Sequence, residues 1–160
     1  MELFQATVRY ERTEANGLQK KVNETYLTDA LSFTECESIM VNQMGTVCNG
    51  EFSVTSIKQV RCDDFICAKH KLTDGTVEYD FDYNADASKY FEVKIRFGVI
   101  DEKSGETKFS FSTFIVVAEN LEDAKDRFHS FMHGTMLDYE LVSVKETKIV
   151  GFIPHYLINE

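Results

Sequence analysis

Cysteines and histidines at short spacing are the first residues in this chain that could do chemistry, because thiolates and imidazoles together can bind zinc. Cys62, Cys67 and His70 have such a spacing, and Cys48 would have to supply a fourth ligand from a distant segment. Cys62 fits equally well as a small apolar residue within a strand. We therefore expect core thiols rather than a zinc site, with no metal and no other cofactor.

Two further patterns imitate metal sites. An acidic run resembles the start of a calcium loop and comprises Asp80, Asp82, Asn84 and Asp86. Ala85 replaces the glycine of such a loop, and Phe91 replaces its closing glutamate. His129 and His133 are four residues apart on a predicted helix, but Ser130 stands where a zinc metalloprotease carries its glutamate base. We interpret the acidic run as a solvated strand face and the histidines as surface residues.

Common enzyme signatures are absent from the sequence. No glycine cluster precedes a helix, as a phosphate-binding loop requires, and no Gly-x-Ser-x-Gly elbow is present. Among 27 acidic residues no catalytic pair can be assigned without a fold. We name no catalytic residue and expect a protein that is not an enzyme.

Basic residues are concentrated in six predicted strands, although the chain has a formal net charge of −10. These strands (4–11, 18–27, 52–61, 90–98, 107–117 and 139–148) carry ten basic and five acidic residues, and the remainder carries seven and twenty-two. The candidate phosphate-binding residues are Arg9, Lys21, Lys58, Lys94, Arg96 and Lys145. Aromatic residues of the same strands, such as Tyr10, Phe97, Phe109 and Phe111, could stack on bases if they are exposed. Alternatively, the cations protect strand edges and the rings fill the core.

Length and composition indicate a globular domain. The chain has 160 residues, 43% of them hydrophobic. It contains no apolar run near the roughly 18 residues that span a bilayer, and its start lacks the pattern of a signal peptide. We expect a cytoplasmic protein without membrane contact, whose four cysteines are reduced.

The sequence also repeats itself. Phe4, Ala6, Val8 and Arg9 match residues 87 positions later, and Gly17 matches Gly105 at a spacing of 88. Farther along, 52–58 matches 139–145, again 87 apart. This register predicts an internal duplication, with repeat 1 at about 4–66, a connecting hairpin at about 67–88 and repeat 2 at about 91–153.

The patterns within each repeat predict the order strand, strand, helix, strand, and a shorter strand could follow at the end of the repeat. Asn16-Gly17 and Ser104-Gly105 predict hairpin turns. Ser32 and Asn120 predict helix N-caps, because each has an acid three residues later. The first helix should cover about 33–44. The second should match it, with an apolar stripe from Leu121 to Met132 and an end at a left-handed Gly134. We expect a single compact α+β domain over 1–160, with pseudo-twofold symmetry, an antiparallel sheet and two helices on one face.

Four segments carry a resemblance: VRYE at 8–11, NGLQKKV at 16–22, YLTDALSFTE at 26–35 and GTMLDYE at 134–140. They are similar to a family of small proteins of unknown function found in Bacteroidetes and in their crAss-like phages. The likeness covers most of the chain but not residues 62–88. It implies an association with phage replication genes, and it supplies no activity, cofactor or site residue.

Two functions follow as hypotheses. The first is an accessory protein of phage or mobile-element origin, acting near DNA replication and binding single-stranded nucleic acid or a replication protein through the sheet. The second is an acidic inhibitor or decoy that binds a host protein through the helices and the connector. Its acidic residues would be Glu35, Glu37, Asp80, Asp82, Glu122 and Asp126.

Overall fold

The computed structural model describes residues 2–48, 50–67, 69–71, 73, 77–79 and 89–155, with the backbone alone for 69–71 and 77–79. In chain order its elements are β1 (Glu2–Thr13), β2 (Gln19–Ala30), α1 (Phe33–Val47), β3 (Phe52–Val60), β4 (Asp64–Ile66), β5 (Lys69–Lys71), β6 (Val77–Tyr79), β7 (Lys89–Ile100), β8 (Thr107–Ala118), α2 (Leu121–Met132), β9 (Glu140–Glu146) and β10 (Ile149–Ile153). The chain divides into two compact units. Unit 1 is Met1–Arg61 with Lys148–Glu160, and unit 2 is Cys62–Thr147.

Unit 1 is a four-stranded sheet with one helix, in the strand order β10-β2-β1-β3. β1 and β2 form an antiparallel hairpin whose turn contains Gly17 at φ 82°, a conformation that glycine adopts without strain. On β1, Phe4, Ala6 and Val8 are buried and pack in one cluster with Ile39 and other apolar residues of α1. The alternation of apolar residues along β1 therefore places α1 on one face of this sheet.

Unit 2 repeats this arrangement in the strand order β4-β8-β7-β9. Gly105, at φ 69°, lies in the β7–β8 turn, 88 residues after Gly17. Val93 and Ile95 of β7 pack with Phe128 and Met132 of α2 in the buried cluster. The pairings of β1 with β3 and of β7 with β9 also shift register at matching points, between Thr7 and Val8 in β1 and between Lys94 and Ile95 in β7. These correspondences are consistent with the predicted duplication.

Both helices begin with the same hydrogen bonds. The backbone N–H of Glu35 donates to Ser32 Oγ at 3.1 Å, and that of Asp123 donates to Asn120 Oδ1 at 2.9 Å. In return, the side chain of each acid accepts from the backbone N–H of the residue before the cap, at 3.3 and 3.0 Å. Each cap satisfies amides that the first helical turn leaves unpaired.

The predicted α+β class is confirmed, but the described residues form two larger sheets where the sequence predicted one antiparallel sheet with both helices on one face. Within the described residues there are two four-stranded sheets with one helix each, and both are mixed rather than purely antiparallel. β10 pairs in parallel with β2, and β4 pairs in parallel with β8. The last short strand of each predicted repeat thus joins the sheet of the other repeat. Buried apolar residues, Phe65 and Phe152, anchor these two strands.

The prediction for the end of α2 is wrong. The left-handed residue after this helix is Met136 at φ 55°, and Gly134 does not have a positive φ. Thr135 explains the difference, because its backbone N–H and its hydroxyl both donate to the Met132 carbonyl, at 3.0 and 2.7 Å. The terminal carbonyl is therefore satisfied without a left-handed glycine at position 134.

The connector contains a short hairpin, since β5 pairs antiparallel with β6. The calcium-like run at 80–86 lies outside the described residues, so its predicted strand stays a prediction. In the part of the chain that the structure describes, neither helix has the length and apolar character needed to cross a membrane.

Candidate nucleic-acid interface

Each sheet has an open face, which we define as the face opposite its helix. Because side chains alternate across a strand, the register places all six predicted basic residues on these faces. Arg9, Lys21 and Lys58 lie on the open face of unit 1. Lys94, Arg96 and Lys145 lie on the open face of unit 2.

Two phenylalanines stand beside the cations of unit 2. Phe109 and Phe111, on β8, are 59% and 57% exposed, which is unusual for rings of this size. The guanidinium carbon of Arg96 lies 4.9 Å from the Phe109 ring centre, and Lys94 Nζ lies 4.9 Å from that of Phe111. Gly98 is the β7 partner of Phe109 and places no side chain against it. The result is a pair of rings, each in cation–π contact.

Carboxylates hold two of these cations in place. Glu140 Oε2 accepts hydrogen bonds from Nε of Arg96, at 3.0 Å, and from its Nη2. Glu92 Oε1 lies 3.3 Å from Lys145 Nζ. Lys94 forms no ion pair among the described residues and is flanked across the sheet by Thr113 and Ser143. The open face of unit 2 therefore combines exposed rings, two neutralised cations and a lysine that no described carboxylate neutralises.

The exposed area of this face lies toward the β7–β8 turn. At the other end of the strands, Phe65, Tyr90 and Ile115 are buried, and the rings of Phe65 and Tyr90 stack at 6.5 Å. A long ligand would reach only the turn-side half of the face, where Phe109 and Phe111 lie.

The open face of unit 1 has cations without rings. Arg9, Lys21 and Lys58 are exposed and form no ion pair with any described residue. Arg9 and Lys21 border an open hollow of about 660 Å³, which also has Glu11 and Glu51 in its wall. This face offers charge to an anion but presents few stacking surfaces.

The two faces differ at equivalent positions. Lys21 and Asn23 of β2 correspond, 88 residues on, to Phe109 and Phe111 of β8. Arg9 pairs across the strands with Ser53, whereas its counterpart Arg96 pairs with Glu140. Likewise, Lys58 of unit 1 lies opposite the neutral Gln5, whereas its counterpart Lys145 of unit 2 lies opposite the acidic Glu92.

Sequence reasoning named the two rings only as aromatics that could stack, and it missed both acids. Glu92 and Glu140 were not among the candidate residues, although they neutralise two of the six cations. The signal that could have found them was present, because aligning the repeats at 87 residues sets each acid against a neutral residue of the first copy.

Other ionisable groups are occupied by structural contacts. Glu24 accepts hydrogen bonds from the hydroxyls of Tyr10 and Tyr26, at 2.6 and 2.5 Å. This bond and partial burial raise the pKa of Tyr10 to about 12, and burial followed by the same carboxylate raises that of Tyr26 further. Asp29, 5% exposed, accepts the backbone N–H of His155 at 2.9 Å and lies 2.9 Å from its Nδ1. These contacts hold both acids within unit 1.

The thiols are free cysteines. Burial, with Asp64 and Asp63 nearby, raises the pKa of Cys62 to about 11, so its thiol keeps its proton near neutral pH. Within the described residues no group of three or more histidine, cysteine or acidic side chains is placed to hold a metal. The side chain of His70 lies outside them. His129 Nδ1 instead lies 2.6 Å from the Tyr139 hydroxyl.

Comparison with known proteins identifies a family. The model of a family described as a domain of unknown function (DUF4494) matches residues 2–155. No curated protein and no solved structure matches the chain.

Proposed function

This chain belongs to the DUF4494 family, and we propose that it is a non-enzymatic protein that binds single-stranded nucleic acid through the open faces of its sheets. One observation carries the proposal: Phe109 and Phe111 are exposed side by side on one strand, each with a cation over its ring. Stacking of an unpaired base on such a ring contributes about 1–3 kcal/mol and tolerates any sequence.

The charge distribution supports the same function. A net charge of −10 repels nucleic acid at long range. The open face of unit 1 nevertheless presents three exposed cations, Arg9, Lys21 and Lys58, that no described carboxylate pairs with. Such residues neutralise phosphates and release the counterions condensed on them, which makes binding dependent on salt.

We place this activity in a phage or mobile element, near DNA replication. The resemblance noted above supports that setting. A replication protein that carries single-stranded DNA is the natural partner of such a module, and contact with that protein is part of the same proposal.

The test is a titration of purified protein against a fluorescently labelled single strand, followed by anisotropy at about 50 and 200 mM salt. Phe109→Ala with Phe111→Ala should weaken binding by about 1–3 kcal/mol for each base that stacks. Phe33→Ala is the matched control, since Phe33 is the first residue of α1 in unit 1 and its ring is 53% exposed. Its affinity should equal that of the wild type.

The charge contribution is tested separately. Arg9→Glu with Arg96→Glu should abolish binding at the lower salt concentration, because two cations of the open faces become acids. Lys108→Glu is the control, since Lys108 lies on β8 with its side chain on the opposite side from Phe109. Undetectable wild-type binding at low salt would refute the proposed function.

That result would favour the second function, an acidic inhibitor or decoy that binds a host protein. α1 contains no lysine or arginine, and its exposed surface carries Glu37 beside Val41, which is 48% exposed. An acidic helix with exposed apolar residues suits a basic partner protein. Glu35 is less available, because it accepts the Leu31 N–H. Capture of one host protein by the wild type but not by Glu37→Lys would support this alternative.

A further inference from the structure

The contacts of Arg96 suit stacking better than phosphate binding. Its guanidinium lies over the Phe109 ring, and its Nε and Nη2 both donate to Glu140. Its charge is therefore already balanced, and two of its donors are occupied. A guanidinium fixed in this way still presents a flat surface, and bases stack on guanidinium planes as they do on aromatic rings.

The equivalent residue in unit 1 lacks this arrangement. Arg9 faces Ser53 and Asn23, where Arg96 faces Glu140 and Phe111. Arg9 forms no ion pair with a described residue. One arginine of the matched pair is thus free to contact a phosphate, and the other is held on a ring.

We propose that Glu140 fixes Arg96 on Phe109 as part of a base-stacking surface, so that the open face of unit 2 selects unpaired bases while Lys94, on the same face, contacts phosphate. This inference rests on the proposed function and divides the three basic residues of this face by role: Arg96 stacks on bases, Lys94 contacts phosphate, and Lys145 is neutralised by Glu92. A polyanion without bases has little to gain at the Arg96–Phe109 pair, because Glu140 already balances the charge of Arg96 and its carboxylate repels a phosphate that approaches the remaining donors. A single strand stacks on the pair and leaves the bond to Glu140 intact.

The first variant is Glu140→Ser, which introduces the residue found at the equivalent position of unit 1. Freed from its carboxylate, Arg96 becomes available to phosphates. Affinity for inorganic polyphosphate should rise about two- to fivefold, the range that corresponds to one exposed ion pair. The salt slope for the single strand should steepen by about 0.7 for the added phosphate contact. The single strand also loses the fixed stacking plane, so its preference over polyphosphate should fall.

Glu122→Ser is the matched control. It removes the same charge from an exposed ion pair, that with Lys125 on α2, away from the open face. Any general effect of net charge will appear in this variant as equal changes for the single strand and for polyphosphate. The preference should therefore stay at the wild-type value.

The second variant, Arg96→Lys, keeps the charge and removes the plane. Affinity for the single strand should fall about fivefold or more, the lower end of one stacking contact, while affinity for polyphosphate stays within about twofold of wild type. Equal losses for both ligands would overturn the stacking role and make Arg96 a phosphate contact. An unchanged preference in Glu140→Ser would overturn the role of Glu140.

Failure of the Arg96 stacking role can be distinguished from failure of the proposed nucleic-acid binding. If the wild type binds the single strand and loses affinity in Phe109→Ala with Phe111→Ala, the function stands whatever Arg96 does. If the wild type does not bind a single strand, the function itself fails. Circular dichroism of each variant checks that the fold is retained.

Discussion

Replacing Phe128 with alanine is the sharpest test of how α2 packs on its sheet. Phe128 is fully buried, with its ring centre 5.2 Å from that of Phe114 and 5.7 Å from that of Tyr139. Removing a buried phenylalanine ring costs about 3–5 kcal/mol, which combines lost transfer free energy with the cavity left behind. We expect Phe128→Ala to lower the free energy of unfolding by that amount.

Phe131 provides the internal control, because it lies three residues later on the same helix. Its ring also approaches Phe114, at 6.1 Å, but it is 39% exposed. About three fifths of a full burial term, or about 1–2 kcal/mol, is at stake, and an open site leaves little cavity. Phe131→Ala should therefore cost less than half as much as Phe128→Ala.

The assay is urea unfolding followed by far-ultraviolet circular dichroism. The chain has no tryptophan, so the backbone signal is the direct probe. The midpoint should shift while the slope stays constant, as expected when the native state alone changes in stability. A loss below about 1 kcal/mol for Phe128→Ala, or equal losses for the two variants, would refute the packing of α2 described above.

Two other predictions concern the caps and alkaline pH. Ser32→Ala and Asn120→Ala should each lower the free energy of unfolding by about 1 kcal/mol, because each variant removes one cap hydrogen bond. Urea unfolding measures both losses. If one loss exceeded the other by more than about twofold, the two caps would not be equivalent. Tyr10 and Tyr26 hold their protons to higher pH in the native state than the usual value near 10. The native state then binds more protons than the unfolded state, so stability is full below pH 10 and falls as pH rises toward 12. Urea midpoints at several alkaline pH values should show this fall, and replacing both tyrosines with phenylalanine should reduce it; an equally steep fall in that variant would contradict the prediction.

Local elements were predictable because their signals lie within a few residues of each other. The strand alternation around Phe4 and Val93, the turn glycines Gly17 and Gly105, and the cap at Ser32 all act through neighbouring backbone groups. Both helices begin at the predicted residues, Phe33 and Leu121. Most strands that differ from their predicted ranges are longer at one or both ends, since a strand continues wherever a partner strand is available to pair with it.

Predictions failed or were incomplete where a distant or unforeseen contact decided the outcome. Gly134 was a reasonable helix end, but the Thr135 side chain satisfied the carbonyl of Met132 instead. The short strands at Phe65 and Phe152 were expected, yet their partners were not. A strand of three to five residues pairs with whichever edge is nearest in space, and the sequence does not specify that edge.

The candidate nucleic-acid interface was also predictable in its local features and unpredictable in its long-range contacts. The six basic positions and their repetition could be predicted from charge and spacing, and the register places them on the open faces. The exposure of Phe109 and the ion pair between Arg96 and Glu140 could not. An apolar ring in a strand is buried by default, and only the position of the helix reveals which face stays open.

The long strands, the turns, the two helix starts and the concentration of cations in the strands could be read from the sequence of this protein, because periodicity, turn chemistry and charge are properties of short segments. Three features emerged in three dimensions: the long strands divide between two sheets, β4 joins β8 while β10 joins β2, and Glu140, 44 residues away, holds Arg96 over a phenylalanine ring. Those outcomes depend on which surfaces meet. That meeting is settled by packing and hydrogen bonding across long sequence separations rather than by local preference.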